Sequence, residues 1–391
     1  MRTRVGIIGA GPAGLLLSHL LHLQGIESVV LEARSRDYVE RRQRAGVVEH
    51  AVAETLRGAG VGGRMDREGL VHHGIELRFD GRAHHLDFPD LCGREVVIYA
   101  QTEIVKDLIA RRLADGGKIL FESRATAIED IDAGSPHVRF TDGAAEQVLE
   151  CDIVVACDGF HGIGRASLPA EVVRTFDKVY PFSWLGILAD VPPSCDELIY
   201  AHSDRGFALH SMRSEQVSRL YLQVPNGTDT AEWSDERIWD ELTARFALAD
   251  GSWELKRGPI TDKSITPMRS FVTEPMRHGS LFLAGDAAHI VPPTGAKGLN
   301  LAMHDVMLLA EALTAWDRDG STTLLDSYSD DALRRVWRAE HFSYRMTTML
   351  HPDPQGGDFE RRLQISDLDR IAASRAAATE IAENYTGLPQ V

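Results

Sequence analysis

The sequence predicts an α/β fold that is interrupted by antiparallel sheet and closed by a helical region. Three observations indicate this order. The chain opens with strand, glycine turn, helix and strand in RVGIIGAGPAGLLLSHLLHLQGIESVVLEAR, which is one βαβ unit. From about residue 180 to 270, short alternating segments such as FALHSM and RLYLQVP are typical of antiparallel strands. From about residue 300 onward the apolar pattern is mostly helical.

Composition and charge set limits on the class of protein. The chain has 391 residues, 43% hydrophobic and 26% charged content, and a formal net charge of −16. This length allows two or three packed units. The acidic balance argues against a nucleic-acid scaffold, which normally carries a basic face, but a few buried arginines could still make one pocket positive for an anionic substrate. No apolar run reaches the roughly 18 residues of a membrane span, so we expect a cytoplasmic protein.

The cysteines indicate structural thiols. Cys92, Cys151, Cys157 and Cys195 form no CxxC pair and lie near no histidine cluster of zinc spacing. Such thiols stay reduced in the cytoplasm by default. We therefore expect neither a metal site nor a redox-active cysteine pair.

The first element is built around a glycine motif. GAGPAG, from Gly9 through Gly11 to Gly14, has the GxGxxG pattern between a predicted strand and a predicted helix. The first glycine permits the tight turn, the second lets the backbone approach a pyrophosphate, and the third allows close packing. Glu32 ends the second strand, where an acid can hold a ribose diol. A dinucleotide-binding domain is predicted; a plain glycine turn with a solvated Glu32 is the alternative.

The next elements alternate between helices and sheet. Residues 46–63 and 101–114 carry helical periodicity, and HGIELRFDGRAHHLDF has a central Asp80-Gly81, which predicts a type I′ hairpin. Another helix is predicted near 234–247. The predicted domains are a discontinuous dinucleotide-binding domain (1–71, 98–179 and 268–345), a substrate-binding sheet domain (72–97 and 180–267) and a C-terminal helical or interface region (346–391).

Two further predicted strands end in an acid. Asp158 follows the apolar run from Cys151, and Asp286 follows the run that starts at Leu281. The carboxyl ends of strands are where open α/β sheets bind ligands. Each aspartate could instead cap the helix that follows it. Because Glu32 stands at a third strand end, a shared ligand-binding edge is the favoured interpretation.

Several motifs carry a family resemblance. GAGPAG, CDGFHG and GDAAHIVPPTGAKGLNLA together resemble the flavin-dependent aromatic hydroxylases, the single-component FAD monooxygenases. The likeness continues in order through RAGVVEH, YAQTE, VYPFSWLGILAD, ELIYA, WSDER, RSFV and IAENYTGLP, and it is strongest to the hydroxybenzoate hydroxylases. It implies a Rossmann-like FAD-binding domain of the glutathione-reductase-like FAD fold, an inserted antiparallel β-sheet substrate domain, a C-terminal helical region and a homodimer.

The resemblance implies FAD, bound tightly but not covalently. Its pyrophosphate would lie on the first helix and its adenosine ribose on Glu32. The other residues matched to the cofactor are Arg44 at the pyrophosphate, Gln101 on the ribityl chain, Asp158, Arg219 near the flavin, Asp286 on a ribityl hydroxyl, and Lys297, Gly298, Leu299 and Asn300 beside the isoalloxazine. Lys297 and a helix N-terminus near residue 298 would stabilise a reduced flavin anion.

The resemblance also implies a pocket that binds a benzoate carboxylate. Ser211, Arg213 and Tyr221, all in HSMRSEQVSRLYLQ, match the family's carboxylate clamp. A guanidinium can bind a carboxylate through two hydrogen bonds, which fixes its orientation as well as its charge. Without the resemblance, two arginines on one strand could equally be a solvated edge.

The phenol end of the pocket is assigned in the same way. Tyr200 and Tyr385 match tyrosines that hydrogen-bond the substrate phenol and each other, and His72 matches the solvent end of this proton relay. Pro293 matches a residue whose carbonyl faces the substrate hydroxyl. Removing the phenol proton suits the chemistry because a phenolate is hydroxylated more readily, and histidine exchanges protons near physiological pH. Taken alone, each tyrosine could be an ordinary core or surface residue.

The pyridine-nucleotide residues are matched less closely. His161 and Arg269 match residues that contact NADPH in the family, and Tyr38 is kept. Arg34 and Arg36 depart from the best-known NADPH-specific members, although they could neutralise a 2′-phosphate. We expect NADPH as co-substrate, with NADH possible as well.

The resemblance implies hydroxylation of 4-hydroxybenzoate to 3,4-dihydroxybenzoate with NAD(P)H and dioxygen, through a flavin C4a-hydroperoxide. The same chemistry on another hydroxybenzoate, such as 3,4-dihydroxybenzoate, is the nearest alternative. FAD-dependent disulfide or quinone reduction is a second one, although there is no redox cysteine pair and no second GxGxxG. A non-catalytic flavin-binding sensor is a third.

Overall fold

The elements alternate between helix and strand before the chain ends in helices. The computed structural model describes residues 1–42, 46–143 and 145–387. The first part contains β1 (Arg2–Ile8), α1 (Pro12–Leu23), β2 (Ser28–Leu31), α2 (Arg36–Arg41), β3 (Val47–Val48), α3 (His50–Gly58), α4 (Gly63–Glu68), β4 (Leu70–His72), β5 (Gly74–Phe79), β6 (Arg82–Asp87), α5 (Phe88–Cys92), β7 (Val96–Ile98) and α6 (Gln101–Ala114). The middle part contains β8 (Lys118–Leu120), β9 (Ser123–Glu129), β10 (His137–Asp142), β11 (Ala145–Ala156), β12 (Arg174–Ala189), β13 (Leu198–Ala201), β14 (Ala208–Ser214), β15 (Val217–Pro225) and α7 (Asp235–Phe246). The last part contains β16 (Ile260–Glu274), β17 (Arg277–His278), β18 (Leu281–Leu283), β19 (His289–Ile290), α8 (Gly298–Asp319), α9 (Thr323–Leu350), α10 (Asp358–Ala373) and α11 (Arg375–Thr386).

The first sheet has a parallel centre. Its strands run in the order β17, β18, β11, β1, β2 and β8, and the pairs from β18 to β8 are parallel. The predicted βαβ unit and the two buried strands that end in acid are confirmed as β1, β2, β11 and β18. Since the carboxyl ends of parallel strands lie at one edge, Glu32, Asp158 and Asp286 follow strands that end on the same side of this sheet.

The glycine turn after β1 is sterically required. At Gly9 the backbone has φ +104°, and a Cβ would lie 2.4 Å from the Cys157 carbonyl oxygen. At Gly14 a Cβ would lie 2.1 Å from the Gly9 carbonyl oxygen. Both contacts are far below normal separations, so only glycine fits these positions. The turn brings helix α1 directly against the sheet, as the motif predicts.

The second sheet separates two packed layers. Its strands run in the order β19, β16, β12, β15, β14, β13, β5 and β6, and they are antiparallel except for the β13–β5 pair. On one face Leu220 and Leu222 pack with Phe246 of α7. On the other face Trp184 and Tyr200 belong to a core that includes residues of the C-terminal helices. The predicted substrate domain is therefore a sheet that is covered on both faces.

The local predictions in this region have mixed outcomes. The hairpin of β5 and β6 is confirmed, because Asp80 and Gly81 have φ of +52° and +68°, as a type I′ turn requires. Helices α6 and α7 are also confirmed. The helix predicted over 46–63 is partly wrong. Val47–Val48 forms a strand that pairs with β7, because β-branched residues favour sheet pairing where a partner strand is available.

The C-terminal region is helical as predicted. Helix α8 packs on α1 and α9, while α11 packs on α5 and α10. Strand β12 begins at Arg174 and β16 ends at Glu274, so both strands extend beyond the predicted bounds of the substrate domain, and those bounds remain a prediction. Over the residues that the structure describes, none of the helices combines the length and the apolar character needed to cross a membrane.

Candidate active site

The glycine turn and the β2 end form a cradle that fits a dinucleotide. Helix α1 has no side-chain cap at its N-cap residue Gly11, and a Cβ at Gly11 would meet no atom within 4 Å. Free amides therefore border open space, where a pyrophosphate can bind. The Glu32 carboxylate accepts hydrogen bonds from the Ala10 and Arg34 amides, each at 2.8 Å, which fixes it beside the turn. The residues present fit the adenosine half of FAD.

A second open helix start lies after β18. Asp286 is exposed within a short turn, Gly285–Ala287, whose other two residues are buried. The Gly285 amide donates to the buried Asp305 carboxylate at 2.8 Å, so Asp305 holds the turn and leaves Asp286 pointing outward. Helix α8 starts at Gly298 without a side-chain cap. These features fit the ribityl and flavin parts of the same cofactor.

Other residues matched to the cofactor have varied positions. Gln101 is half-buried at the first position of α6, and Leu299 is half-buried in the first turn of α8. The Asp158 carboxylate accepts from the Gly164 amide at 2.8 Å, and burial raises its pKa. That carboxylate closes its own loop, which is the capping alternative, so its cofactor role remains a prediction. Arg44 lies outside the described residues.

Lys297 forms a buried ion pair that the sequence analysis did not identify. Its Nζ atom donates to Glu49 Oε1 at 2.7 Å and to the Tyr385 carbonyl at 3.1 Å. Burial opposes the charge of Glu49, but Lys297 and the neighbouring His304 lower its pKa to about 2. Burial also lowers the pKa of Lys297, an effect that Glu49 counteracts. We therefore describe the pair as ionised at neutral pH. Asn300 accepts from the Glu49 amide at 2.9 Å.

The two tyrosines assigned to the phenol are in direct contact. Tyr200 on β13 and Tyr385 on α11 have hydroxyl oxygens 2.8 Å apart, and both side chains are about 1% exposed. Burial raises the pKa of each hydroxyl well above its ordinary value. Both groups therefore keep their protons at neutral pH. Such a pair can move a proton only by exchanging donor and acceptor roles along a hydrogen-bonded chain.

His72 is not at the solvent end of a relay in this structure. Its residue exposure is 1%, and neither ring nitrogen has a hydrogen-bond partner among the described residues. Burial lowers the pKa of its ring to about 4. The expectation of solvent contact is corrected because β4, which carries His72, pairs with β7 and the ring points into the protein. Its role in proton transfer remains a prediction.

The residues of the carboxylate clamp lie on neighbouring strands of the second sheet. Ser211 on β14 donates to the carbonyl of its cross-strand partner Arg219 at 2.8 Å. The Arg219 guanidinium carbon lies 5.2 Å from the Tyr221 ring centre. Arg213 makes no hydrogen bond or ion pair with any described residue, and burial lowers its pKa to about 10. A charged group that is half-buried and unpaired is a ready binding site for an anion.

The loop before α8 is fixed from one side by α9. Pro293 begins a short turn, Pro293–Gly295. The Thr294 hydroxyl accepts from Thr347 at 2.9 Å, and a Cβ at Gly295 would lie 2.7 Å from the Ser343 hydroxyl. Because α9 packs this closely, the turn has a single position between α9 and the crevice of the first sheet.

The nucleotide residues form two separate surface groups. Arg34 stacks over Tyr38, with 5.2 Å from its guanidinium carbon to the ring centre, and Arg36 pairs with Glu40. His161 and Arg269 both contact Phe160 (His161 at 5.0 Å and the Arg269 guanidinium carbon at 4.6 Å from its ring centre). Arg269 also pairs with Asp177. The structure joins Arg34 to Tyr38 and joins His161 and Arg269 through Phe160, whereas Arg36 is paired with Glu40. Among the described residues, no hydrogen bond, ion pair or ring contact joins the two groups.

The structure brings three of the predicted substrate residues into one core. Tyr200, Tyr385 and the edge of Tyr221 pack in the same apolar cluster, which also contains Trp184. Sequence reasoning missed Glu49, Trp184 and His351. The available signals were that Glu49 lies in the motif RAGVVEH, Trp184 in VYPFSWLGILAD and His351 after a helical run. Local sequence alone does not distinguish a buried polar residue from an exposed one.

Comparisons with known proteins show the family of this chain. A family model for an FAD binding domain matches residues 2–343. The p-hydroxybenzoate hydroxylase of Acinetobacter baylyi is 49% identical over 390 residues, which are 100% of this chain and 96% of that protein. The 6-hydroxy-3-succinoylpyridine 3-monooxygenase HspB of Pseudomonas putida is 26% identical over 95% of this chain and 96% of its own length.

The fold is also that of a solved monooxygenase. The crystal structure of p-nitrophenol 4-monooxygenase PnpA from Pseudomonas putida DLL-E4 matches with a TM-score of 0.85 over 99% of both chains, at 19% identity. That likeness bears on the fold alone. The family model covers most of the chain and a relative is 49% identical over its whole length. The chain therefore belongs to the FAD-dependent aromatic hydroxylases and is a flavoprotein monooxygenase.

Proposed function

We propose that this protein hydroxylates 4-hydroxybenzoate to 3,4-dihydroxybenzoate, with NAD(P)H as electron donor and dioxygen as oxidant. The observation that carries the proposal is a half-buried Arg213 without a counter-ion among the described residues, on the same sheet as Tyr200, whose hydroxyl is hydrogen-bonded to that of Tyr385 on α11. A ligand with a carboxylate and a phenol would supply partners for both. The relative at 49% identity, a p-hydroxybenzoate hydroxylase, supports the same substrate.

The spacing of the sheet supports a ligand of this size. Tyr200 is the cross-strand neighbour of Leu209, and Leu209 is the neighbour of Tyr221. Side chains that are directly opposite share a face of the sheet, and two strand spacings separate backbones by about 10 Å. Tyr200 and Tyr221 therefore flank a strip that is about one benzene ring with its substituents in length.

At one end of this strip, Arg213 binds and orients the carboxylate. Burial makes the charge of Arg213 unfavourable in the free protein, and a carboxylate offers two hydrogen bonds in the plane of the guanidinium. The aromatic ring of the ligand is thereby held in one direction along the sheet. Tyr221, which lies against Arg219, borders this end.

At the other end, Tyr200 and Tyr385 accept and pass on the phenol proton. The two hydroxyls are 2.8 Å apart in a dry environment, so a proton that one hydroxyl takes from the phenol displaces the proton of the other. We propose His72, whose ring is neutral because burial lowers its pKa, as the base that takes up this displaced proton. Loss of the proton makes the ring more electron-rich at the carbon ortho to the phenolate oxygen. Bound FAD supplies electron transfer from NAD(P)H and the activation of dioxygen.

Residues beside the cofactor site would supply charge and exclude water. The uncapped start of α8 provides positive potential, which favours an electron-rich ring system, whereas the charge of Lys297 is balanced by Glu49. The Pro293–Gly295 turn, in which Thr294 and Gly295 are buried, is hydrogen-bonded to α9. A closed, dry pocket limits side reactions with water.

We also propose NADPH as the preferred co-substrate, with NADH accepted, and a homodimer in the cytoplasm. The exposed Arg34 and Arg36 could contact a 2′-phosphate. For the dimer, the C-terminal helix α10 exposes Phe359 and Leu363, which are 70% and 55% accessible. Sedimentation velocity and steady-state kinetics with both nucleotides test these two points.

The central experiment measures NAD(P)H oxidation by the FAD-loaded enzyme with a panel of aromatic acids. The panel contains 4-hydroxybenzoate, 3-hydroxybenzoate, 3,4-dihydroxybenzoate and benzoate, and the products are identified by chromatography. We expect rapid oxidation and one hydroxylated product with 4-hydroxybenzoate. Oxidation without any catechol product, or a clear preference for 3,4-dihydroxybenzoate, would contradict the proposal.

A further inference from the structure

We propose that the end of α9 and the residue after it, which we name the α9 brace (residues 347–351), fix the distance between the Pro293–Gly295 turn and the carboxylate-binding strands. Thr347 and His351 are positioning residues in this view, and neither is expected to touch the substrate. The inference rests on the proposed function, because it concerns how the two ends of the substrate pocket are kept in register.

The brace holds the turn through a side-chain hydrogen bond. The Thr347 hydroxyl donates to the Thr294 hydroxyl at 2.9 Å, and both side chains are fully buried. Water cannot replace either partner in such a place, so the bond fixes the turn with respect to α9. Pro293, whose carbonyl is matched to the substrate hydroxyl, is the residue before Thr294.

The backbone carbonyl of Thr347 holds the ring of His351. His351 Nδ1 lies 2.8 Å from the Thr347 carbonyl oxygen, and His351 Nε2 lies 2.7 Å from Trp184 Nε1. An indole N–H can only donate. Nε2 is therefore the acceptor, and the Nδ1 proton points to Thr347. The imidazole is neutral with one defined tautomer, and burial lowers its pKa to about 3, which keeps this tautomer throughout the working range.

Aromatic packing fixes the orientation of the imidazole. It is parallel to the Phe182 ring, with ring centres 4.8 Å apart and an interplanar angle of 2°. The centre of the Phe207 ring lies 4.1 Å from the centre of the imidazole. The exposed fraction of His351 is 1%. A ring that is packed on its faces and hydrogen-bonded at both nitrogens has no freedom to rotate.

Trp184 carries this position into the substrate strands. Its ring centre lies 4.8 Å from that of Tyr221, a residue of the predicted carboxylate clamp. A second contact joins the same strands to the residue directly after the brace. Gln223, which lies on β15 with Tyr221, donates to the Pro352 carbonyl at 2.7 Å. The chain of contacts therefore runs from Thr294 through the brace to β12 and β15.

This arrangement gives the brace a specific function. The turn belongs to the region that is matched to the flavin and the phenol, whereas β14 and β15 carry the residues matched to the carboxylate clamp. Their separation decides whether a benzoate that is bound at Arg213 presents its reacting carbon at the right place. Displacement of a reacting atom by about 1 Å can cost about 100-fold in rate.

The test compares FAD-loaded variants in substrate binding, coupling and stability. Trp184→Phe keeps the aromatic packing and removes the N–H donor, while Thr347→Val keeps the volume and removes the hydroxyl. We expect each variant to raise the Kd of 4-hydroxybenzoate, measured by calorimetric titration, or the peroxide formed per NAD(P)H, by about tenfold, the effect of one buried hydrogen bond. Thr347→Ser retains the hydroxyl and should restore wild-type values.

The decisive measurement is the double variant. If both substitutions break the same brace, the Trp184→Phe/Thr347→Val protein should be little worse than either single variant, rather than the product of the two effects. Ser329→Ala is the matched control, since the buried Ser329 hydroxyl on the same helix accepts from the Met276 amide at 2.9 Å. It should lower the stability without changing Kd or coupling.

The outcomes separate this inference from the proposed function. If the wild-type enzyme does not hydroxylate 4-hydroxybenzoate, the proposed function fails. If it does, but Trp184→Phe and Thr347→Val change only stability as Ser329→Ala does, or act independently, the brace is overturned. Should Trp184→Phe fail to fold, the comparison of Thr347→Val with Thr347→Ser still decides, because only a positioning role separates their Kd and coupling values.

Discussion

Replacement of Arg213 with Met should weaken binding of hydroxybenzoates without weakening the fold. The guanidinium has no hydrogen bond or ion pair with the residues that the structure describes, and burial lowers its pKa from 12.5 to about 10. The aliphatic part of the side chain can be replaced by that of methionine. The substitution therefore removes mainly an unpaired, partly desolvated charge.

The magnitude follows from that charge. A pKa difference of about 2.5 corresponds to about 3 kcal/mol that opposes the charge in the free protein. A bound carboxylate relieves this cost and adds two charge-assisted hydrogen bonds, so truncation should cost about 2–4 kcal/mol of binding free energy. The Kd of 4-hydroxybenzoate should then rise about 30- to 1,000-fold. The free energy of unfolding of the unliganded holoenzyme should stay the same or increase, because no partner loses a contact.

The assay uses two ligands and a control arginine. Calorimetric titrations with 4-hydroxybenzoate and with 4-methylphenol, which lacks the carboxylate, are compared for wild type and Arg213→Met. The loss should appear only with the carboxylate ligand. Arg237→Met on α7 is the matched control, because Arg237 is exposed and α7 packs on the opposite face of the same sheet.

Two results would refute this reasoning. If Arg213→Met weakens 4-methylphenol as much as 4-hydroxybenzoate, the side chain shapes the pocket and does not bind the carboxylate. If the variant instead unfolds at clearly lower denaturant concentration, Arg213 has a structural partner in the folded protein, and the unpaired charge that carries the magnitude does not exist.

Three further predictions concern buried groups. Tyr385→Phe leaves the Tyr200 hydroxyl buried without its partner, which should cost about 1–3 kcal/mol of unfolding free energy and slow product formation, measured by denaturant unfolding and chromatography. Lys297→Met leaves the Glu49 carboxylate without its closest cation and should cost about 3–5 kcal/mol, part of which an added Glu49→Gln should restore in the same unfolding assay. Burial lowers the pKa of His72 from 6.5 to about 4, so the unfolded chain binds more protons than the folded protein between these pH values. The unfolding free energy should therefore fall as the pH decreases from about 6.5 to 4. The variant His72→Asn should flatten this pH dependence.

Local steric requirements made much of the fold predictable. Gly9 and Gly14 occupy positions where a Cβ would collide with backbone atoms, and Asp80-Gly81 adopts the two positive φ values of its turn. These requirements involve neighbours in the sequence, so a short motif is enough to reveal them. The strands that end at Asp158 and Asp286 were visible for the same reason, because a short apolar run followed by an acid is a local pattern.

Long-range pairing accounts for what could not be predicted. Glu49 stands before α3 in an unremarkable segment, and it becomes a buried carboxylate only because Lys297, 248 residues away, reaches it. Histidine is a residue type that is often exposed, yet the pairing of β4 with β7 turns the ring of His72 into the protein. Val47–Val48 joins a strand rather than the expected helix because β7 offers it a partner.

The last helix has a consequence for the time at which the enzyme becomes active during synthesis. Tyr385 on α11 supplies one hydroxyl of the tyrosine pair, 185 residues after Tyr200, and its carbonyl accepts from Lys297. On the ribosome, N-terminal segments can fold before later ones emerge. A nascent chain that lacks α11 could already present the glycine turn and the second sheet, yet one hydroxyl of the tyrosine pair and one partner of Lys297 would be missing. Formation of the cofactor cradle can therefore precede completion of the tyrosine pair, which forms only when α11 has docked.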